Sequence, residues 1–296
     1  MKFSTTTSRW IPILGLFVAF HLPITAEAAT CPALKDIRRA ESGTTRTSIV
    51  ELYTSEGCNS CPPADKWFST LNKLGNQQQP FIPLAFHVDY WDYIGWNDRF
   101  AQPKFAVQQR TRVQVAGKRT VYTPQVFVDG ADVGLWSSGR VMANAATVIR
   151  ANPATVQLNL DVTRRTVSDF QVAAQVVAGS NTSQPLNGLV VYVAVVEQNL
   201  SSSVKAGENK NVLLEHAHTV RQLIGPLSIV TGQTSGNAGR ERSAGATTSL
   251  TLDPTWKLED LSVVAYAQRR SSNSTLQAVG LNLCESNRVA AAGAMR

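Results

Sequence analysis

The sequence is poor in charge. Only 17% of its residues are Asp, Glu, Lys or Arg, against roughly 25% in an ordinary soluble domain. It holds four cysteines in 296 residues, too few for a small disulfide-stapled scaffold. It has no glycine period and no sustained heptads, which excludes collagen and coiled coil. Beyond residue 28 no apolar run approaches the length of a membrane helix. A basic stripe interleaved with aromatics is also missing. The net charge of +7 is scattered over short groups such as Arg38-Arg39, Arg164-Arg165 and Arg269-Arg270, so nucleic acid is not an expected partner. What the chain does have is apolar residues, 43% of the total. That argues against wholesale disorder and allows a large core, or two domains.

The first 28 residues have the pattern of an export signal. Lys2 and Arg9 precede the short apolar stretch Ile11 to Leu22, and Ala26-Glu27-Ala28 fits a small-x-small cleavage site. The alternative is an uncleaved anchor helix, for which the stretch is short. Cleavage removes Lys2, Arg9 and Glu27 and takes the formal charge from +7 to +6. The expected product is exported, periplasmic or secreted, with no stable membrane span. Cys31, Cys58, Cys61 and Cys284 all survive cleavage into an oxidising compartment. An even count invites one redox pair and one structural bridge, Cys31–Cys284, although four cysteines allow three pairings.

Residues 29–47 read as an irregular lead-in. From residue 48 to 152 the pattern alternates strand and helix: Ser48 to Tyr53, a helical face of Ala64, Trp67, Phe68, Leu71 and Leu74 closed by Gly75-Asn76, Phe81 to Val88, a helix over 98–115, Gln125 to Val128, and a helix over 138–150. Such alternation implies an α/β layer with parallel pairing. After Pro153 the period changes to two, as in Val156, Leu158, Leu160 and Val162, and short strands are expected at 169–178, 188–197, 247–252, 261–268 and 275–283. This predicts an antiparallel β-sandwich-like domain over 153–285, with a mobile loop from Thr231 to Ala246 and a tail over 286–296.

Cys58-Asn59-Ser60-Cys61 lies between an expected strand and an expected helix. A helix N-terminus lowers a thiol pKa and so raises the fraction of thiolate, the species that attacks disulfides. Cys58 is then the exposed nucleophile, and Cys61 resolves the mixed disulfide. Pro62-Pro63 places the helix start near Ser60 or Cys61, with Ser60 as a candidate N-cap. Thr123-Pro124 precedes the strand Gln125 to Val128. A cis bond there would pack Pro124 beside the cysteines and offer the Thr123 backbone to an extended substrate. Glu51, seven residues before Cys58, is either a buried carboxyl that exchanges a proton with Cys61 or an acid on a solvent-facing side of its strand.

With these residues in view, the chain resembles the exported bacterial thioredoxin-like family called domain of unknown function 1223. The resemblance is carried by Glu51 through Asp65, by Phe86 through Trp96, by Tyr122-Thr123-Pro124-Gln125, and by Gly207-Glu208-Asn209 with His218 through Arg221. It implies a thioredoxin-like domain followed by a β-rich domain and implies no settled reaction. Cys58, Cys61 and Pro124 match the thioredoxin active-site pattern, and Glu51 resembles the buried acid of thioredoxins with one extra residue of spacing. No Trp precedes Cys58, and no Pro separates the cysteines.

The leading expectation is a thiol-disulfide oxidoreductase without a cofactor, acting on protein thiols or disulfides or with a redox partner protein. A second reading turns His87, at the end of its strand, toward Cys58 and Cys61 to hold Cu or Zn. A third makes the chain a non-catalytic binding module. His216 and His218 would share a strand face if extended, and two ligands do not make a metal site.

Overall fold

In the computed structural model, which describes Met1 and residues 37–75, 79–179, 186, 188–231 and 243–284, strands dominate. The first half contains β1 (Ile37–Glu41), β2 (Ser48–Thr54), α1 (Pro62–Phe68), β3 (Phe81–His87), α2 (Pro103–Val115), β4 (Gln125–Val128), β5 (Ala131–Asp132) and α3 (Gly139–Ala151). The second contains β6 (Val156–Arg164), β7 (Asp169–Ala178), β8 (Leu189–Glu197), β9 (Leu200–Ser203), β10 (Leu213–His216), β11 (Thr219–Ser228), β12 (Val230–Thr231), β13 (Ser243–Thr251), β14 (Leu261–Arg269) and β15 (Thr275–Asn282). The architecture is mixed α/β, with most of its strands in two large sheets and a two-stranded ribbon.

The larger sheet has eight strands in the order β15-β14-β8-β11-β3-β2-β4-β5. It runs through both sides of the expected boundary at Asn152-Pro153. The junction is β11, which pairs antiparallel with β8 and meets β3 in parallel at Thr219 and Ala85. The expected parallel layer is parallel only in part: β2 pairs with β3 in parallel and with β4 antiparallel. A second sheet, β1-β6-β7-β13-β12, is antiparallel throughout. It buries Leu158, Leu160, Val172 and Val176 against Val191, Val193, Val263 and Ala265 of the larger sheet. The ribbon pairs β9 with β10.

Alternation along β2 determines what each sheet face carries. Val50 and Leu52 pack with Ala64 and Phe68 of α1 and Ala146 and Ile149 of α3. Ile49 and Tyr53 pack on the other face with Phe105, Ala106 and Val113 of α2. All seven residues of β2 are buried, which explains its near-continuous apolar run.

Several local expectations are corrected. The lead-in is not wholly irregular, because Ile37–Glu41 forms β1 and pairs with β6. The first helix starts at Pro62 with Cys61 as its N-cap residue and makes no side-chain cap bond, so Ser60 does not cap it. It ends at Phe68, before Leu71 and Leu74. The second helix starts at Pro103, the fixed φ of which suits a first turn, rather than at 98. Residues 243–246 belong to β13 rather than to a loop. The expected export signal and tail lie outside the described residues, apart from Met1. Among the described residues no helix is long and apolar enough to cross a membrane.

Candidate functional site

The loop between β2 and α1 carries Cys58 and Cys61, both free thiols. The Cys58 amide donates to the Ser55 carbonyl at 3.2 Å, and the Cys61 amide to the Cys58 carbonyl at 3.2 Å. These two turns bring the thiols into hydrogen-bond contact. The Ser60 hydroxyl lies 3.2 Å from Cys58 Sγ and 3.4 Å from the Thr123 carbonyl oxygen, which is itself 3.8 Å from Cys58 Sγ. The Thr123-Pro124 bond is cis. The Trp91 indole N–H donates to Thr123 Oγ1 at 2.7 Å and ties an aromatic segment to the same point. Trp91 stacks on Tyr93, which is 81% exposed.

The two thiols are electrostatically unlike. The hydrogen bond from Cys61 is the largest influence on Cys58. It outweighs burial and, with the Ser60 hydroxyl, lowers the Cys58 thiol from 9.0 to about 6. Burial pushes the Cys61 thiol well above its ordinary value, and the Cys58 contact adds to this. At neutral pH Cys58 therefore carries the negative charge and Cys61 the proton. Cys58 is nevertheless 0% exposed, which corrects its expected exposure. The exposed residues of the motif are Asn59 and Ser60.

Glu51 does not join this pair. Strand alternation places it with Ile49 and Tyr53, on the sheet face opposite α1. There it is 1% exposed and bonds Arg112 of α2, with Nε at 3.0 Å. Gln108 adds a bond of 3.1 Å. The Arg112 guanidinium also donates to Gln268 of β14 at 3.0 Å. Burial acts to lower the Arg112 pKa, and the charges of Glu51 and of the neighbouring Tyr53, Tyr266 and Tyr192 together more than reverse it. Glu51 thus serves a structural ion pair, and neither thiol is among its hydrogen-bond partners.

The α1 side of the sheet holds a different set of ionisable groups, next to the thiols. His87 Nδ1 lies 2.6 Å from Asp98 Oδ2, and both residues are buried. His216 Nε2 lies 3.0 Å from Glu56 Oε1, and the Trp96 indole N–H donates to Glu56 Oε2 at 2.7 Å. The Glu56 amide donates to Asp98 Oδ2 at 2.9 Å. The two imidazoles meet edge to face at 4.8 Å, and Phe100 packs on both. Burial acts to raise the Asp98 and Glu56 carboxyls. For Asp98 the His87 charge and hydrogen bond together with the Glu56 and Phe100 amides, and for Glu56 the hydrogen bonds of His216, Ser202 and Trp96, jointly outweigh burial and leave both below the usual range. Burial acts to lower His87, and Asp98 reverses it so that His87 is raised. Asp65, one helical turn after Cys61, is raised by burial.

His87 is therefore engaged by Asp98. Neither of its ring nitrogens hydrogen-bonds a cysteine, and Nε2 is buried without a partner. Among the described residues no three His, Cys, Asp or Glu side chains are grouped to hold a metal. His216 and His218 do not share a strand face. His218 leaves the strand with φ of +58° and bonds Gln198 at 3.1 Å. Burial lowers its pKa to about 4. Cys284 is disulfide-bonded; Cys31, its expected partner, lies outside the described residues. A cavity of about 730 Å³ lies between α1 and the β9–β10 ribbon, with Asp65 and His216 in its lining.

Sequence reasoning missed Ser60 as a neighbour of the thiol and missed Glu56, Asp65 and Asp98 altogether. Glu56 had a signal, being an acid two residues before Cys58.

The family described as "Protein of unknown function (DUF1223)" matches residues 49–268, and the chain belongs to it. No curated protein matches the sequence. Among solved structures, the chain is similar to protein AGR_C_4864 from Agrobacterium tumefaciens, at 23% identity and a TM-score of 0.52, over 83% of this chain and 98% of that one. It is also similar to HBP35 of Porphyromonas gingivalis, at 17% identity and a TM-score of 0.54, over 81% of this chain and 76% of that one. Both likenesses concern the fold alone.

Proposed function

We propose that the protein is a thioredoxin-like thiol-disulfide oxidoreductase acting through Cys58 and Cys61. The observation that carries this reading is the asymmetry of two free, adjacent thiols. Cys58 is lowered to about 6 by the Cys61 hydrogen bond, and Cys61 is held protonated by burial. A low thiol pKa supplies an attacking thiolate at neutral pH. A protonated neighbour is held in reserve until the mixed disulfide forms.

The reaction runs as follows. The Cys58 thiolate attacks one sulfur of a substrate disulfide, and the other substrate sulfur leaves as a thiolate and takes a proton. Cys61 then loses its proton, attacks Cys58 Sγ and releases the second substrate thiolate. The chain ends oxidised by two electrons, with a Cys58–Cys61 bond. The reverse sequence oxidises a substrate dithiol. Thr123 and Pro124, half-buried beside Cys58, are the backbone contact for an extended substrate, and the Trp91–Tyr93 stack adds an apolar wall. The buried histidine–carboxylate network stands beside this site and holds its loop; Glu51 has no step in it.

The same reading has the chain exported. Its support is the basic start, short apolar stretch and Ala26-Glu27-Ala28 of the first 28 residues.

A Cys61→Ser variant tests the chemistry. Without the resolving thiol, the expected outcome is a stable mixed disulfide between Cys58 and a protein or small disulfide, seen as a mass increase that reductant removes. No adduct on Cys58 in that variant, with the fold intact, contradicts the proposal.

A further inference from the structure

A nucleophile that is 0% exposed cannot meet a substrate sulfur until something moves. Several of the bonds that hold its loop come from the other half of the chain. Residues 204–212 join β9 to β10. Backbone bonds close this loop on itself: the Val204 amide donates to the Val212 carbonyl at 3.0 Å, and the Asn211 amide to the Val204 carbonyl at 2.9 Å. Gly207, at φ +73°, presses against Ile94, and a Cβ there would stand 3.1 Å from Ile94 Cδ1. The loop is thus a stiff arm, and its tip is Glu208-Asn209.

The tip takes hold of the cysteine loop at three backbone atoms. Asn209, 6% exposed, donates from Nδ2 to the Glu56 carbonyl at 2.8 Å and to the Cys58 carbonyl at 3.0 Å. The exposed Glu208 carboxylate accepts the Asn59 amide N–H at 3.0 Å. At the base of the same ribbon, His216 holds the Glu56 side chain. A shift of residues 56–59 that uncovers Cys58 Sγ breaks the three bonds at the tip.

We propose that Glu208 and Asn209 form a latch on the Cys58 loop. They are positioning residues supplied by the β-rich half, and their release admits a disulfide substrate to Cys58. The latch rests on the reading of Cys58 as the attacking thiol. It also gives Gly207-Glu208-Asn209, one of the segments that carry the family resemblance, a role at the thiols. Opening from the other side, by movement of Thr123 and Ser60 alone, is the competing route and would leave the latch idle.

The test is the rate at which Cys58 is alkylated by iodoacetamide in the reduced full-length chain. Every variant carries Cys61→Ser, and the pH is above the thiol titration of each, so that access rather than thiolate fraction sets the rate. Asn209→Ala removes two hydrogen bonds and is expected to raise the rate about tenfold. Glu208→Ala removes one and is expected to raise it about threefold. Glu208→Gln keeps an oxygen for the Asn59 amide and is expected to stay within about twofold of the parent. Parent rates in both alanine variants, with unchanged circular dichroism, overturn the latch. If Asn209→Ala does not fold, the exposed Glu208 position decides alone. Alkylation needs no redox partner, so a chain that fails the mixed-disulfide trap and still opens on Asn209→Ala loses the oxidoreductase reading and not the latch.

Discussion

Two buried ionic clusters sit on opposite faces of one sheet, and they are built for different ends. On the α2 face, Glu51 is bonded to Arg112, which reaches on to Gln268 of β14. Arginine keeps its charge at any working pH, and through Gln268 this pair joins the halves of the chain. On the α1 face, Glu56, Asp65, Asp98, His87 and His216 gather behind the thiols. Histidine can gain or lose its proton in the physiological range. The same strand supplies both clusters, Glu51 within β2 and Glu56 just past its end. What separates their roles is the face each reaches and whether its partner titrates.

The largest expected effect lies on the inert side. Glu51→Ala leaves the Arg112 guanidinium buried and uncompensated, a loss of about 3–5 kcal/mol. Urea unfolding measures it, and the Cys58 alkylation profile of the folded fraction should not move. A shifted thiol profile would mean that Glu51 acts on the cysteines after all, and the contrast between the faces would break.

On the other face the expected effect is smaller and depends on pH. Asp98 is lowered in the folded state, so its contribution is present above the unfolded carboxyl value of about 3.9 and is lost as pH falls through the folded value. His87 is raised, so its contribution is full below about 6.5 and fades as pH climbs through its folded value. Asp98→Asn removes both together. It should cost roughly 1.5–3 kcal/mol near pH 6 and flatten the stability profile on each side. A variant profile parallel to wild type would show that the Asp98–His87 pair does not set the pH dependence of stability.

The smallest expected effect is at the thiol itself. Ser60→Ala removes a hydroxyl 3.2 Å from Cys58 Sγ and should raise the midpoint of the alkylation profile above about 6. The size corresponds to roughly a threefold loss of thiolate at a fixed low pH. An unmoved midpoint would leave the lowering to Cys61 and Thr123.

The sequence carried the local parts of this picture well. The period-two runs of Val156 to Val162 and 169–178 correspond to β6 and β7, and the apolar run at 81–88 to β3. Cys58, Cys61, Thr123 and Pro124 do lie together, because β2 and β4 pair side by side, with Tyr53 opposite Gln125, and bring the turn after one to the start of the other. Three things were not legible. The sheet crosses the period change at Pro153, and pairing partners such as Thr219 and Ala85 leave no trace in either segment alone. Alternation puts Glu51 on one face of β2, but that this face meets Arg112, 61 residues away, rather than the thiols is not written in β2, so spacing to Cys58 was a misleading guide. The grip of Asn209 on the Cys58 carbonyl spans 151 residues; the Gly207-Glu208-Asn209 motif pointed to that segment without saying what it holds.

The central claim is that Cys58 and Cys61 form a working redox couple. Equilibration of the purified chain across a series of thiol–disulfide buffers, with acid quenching and mass mapping of Cys58 and Cys61, tests it most directly. The account predicts one reversible two-electron transition confined to that pair, with Cys284 unchanged throughout. Two thiols that never join at any potential in the series, or that join only irreversibly, would contradict it.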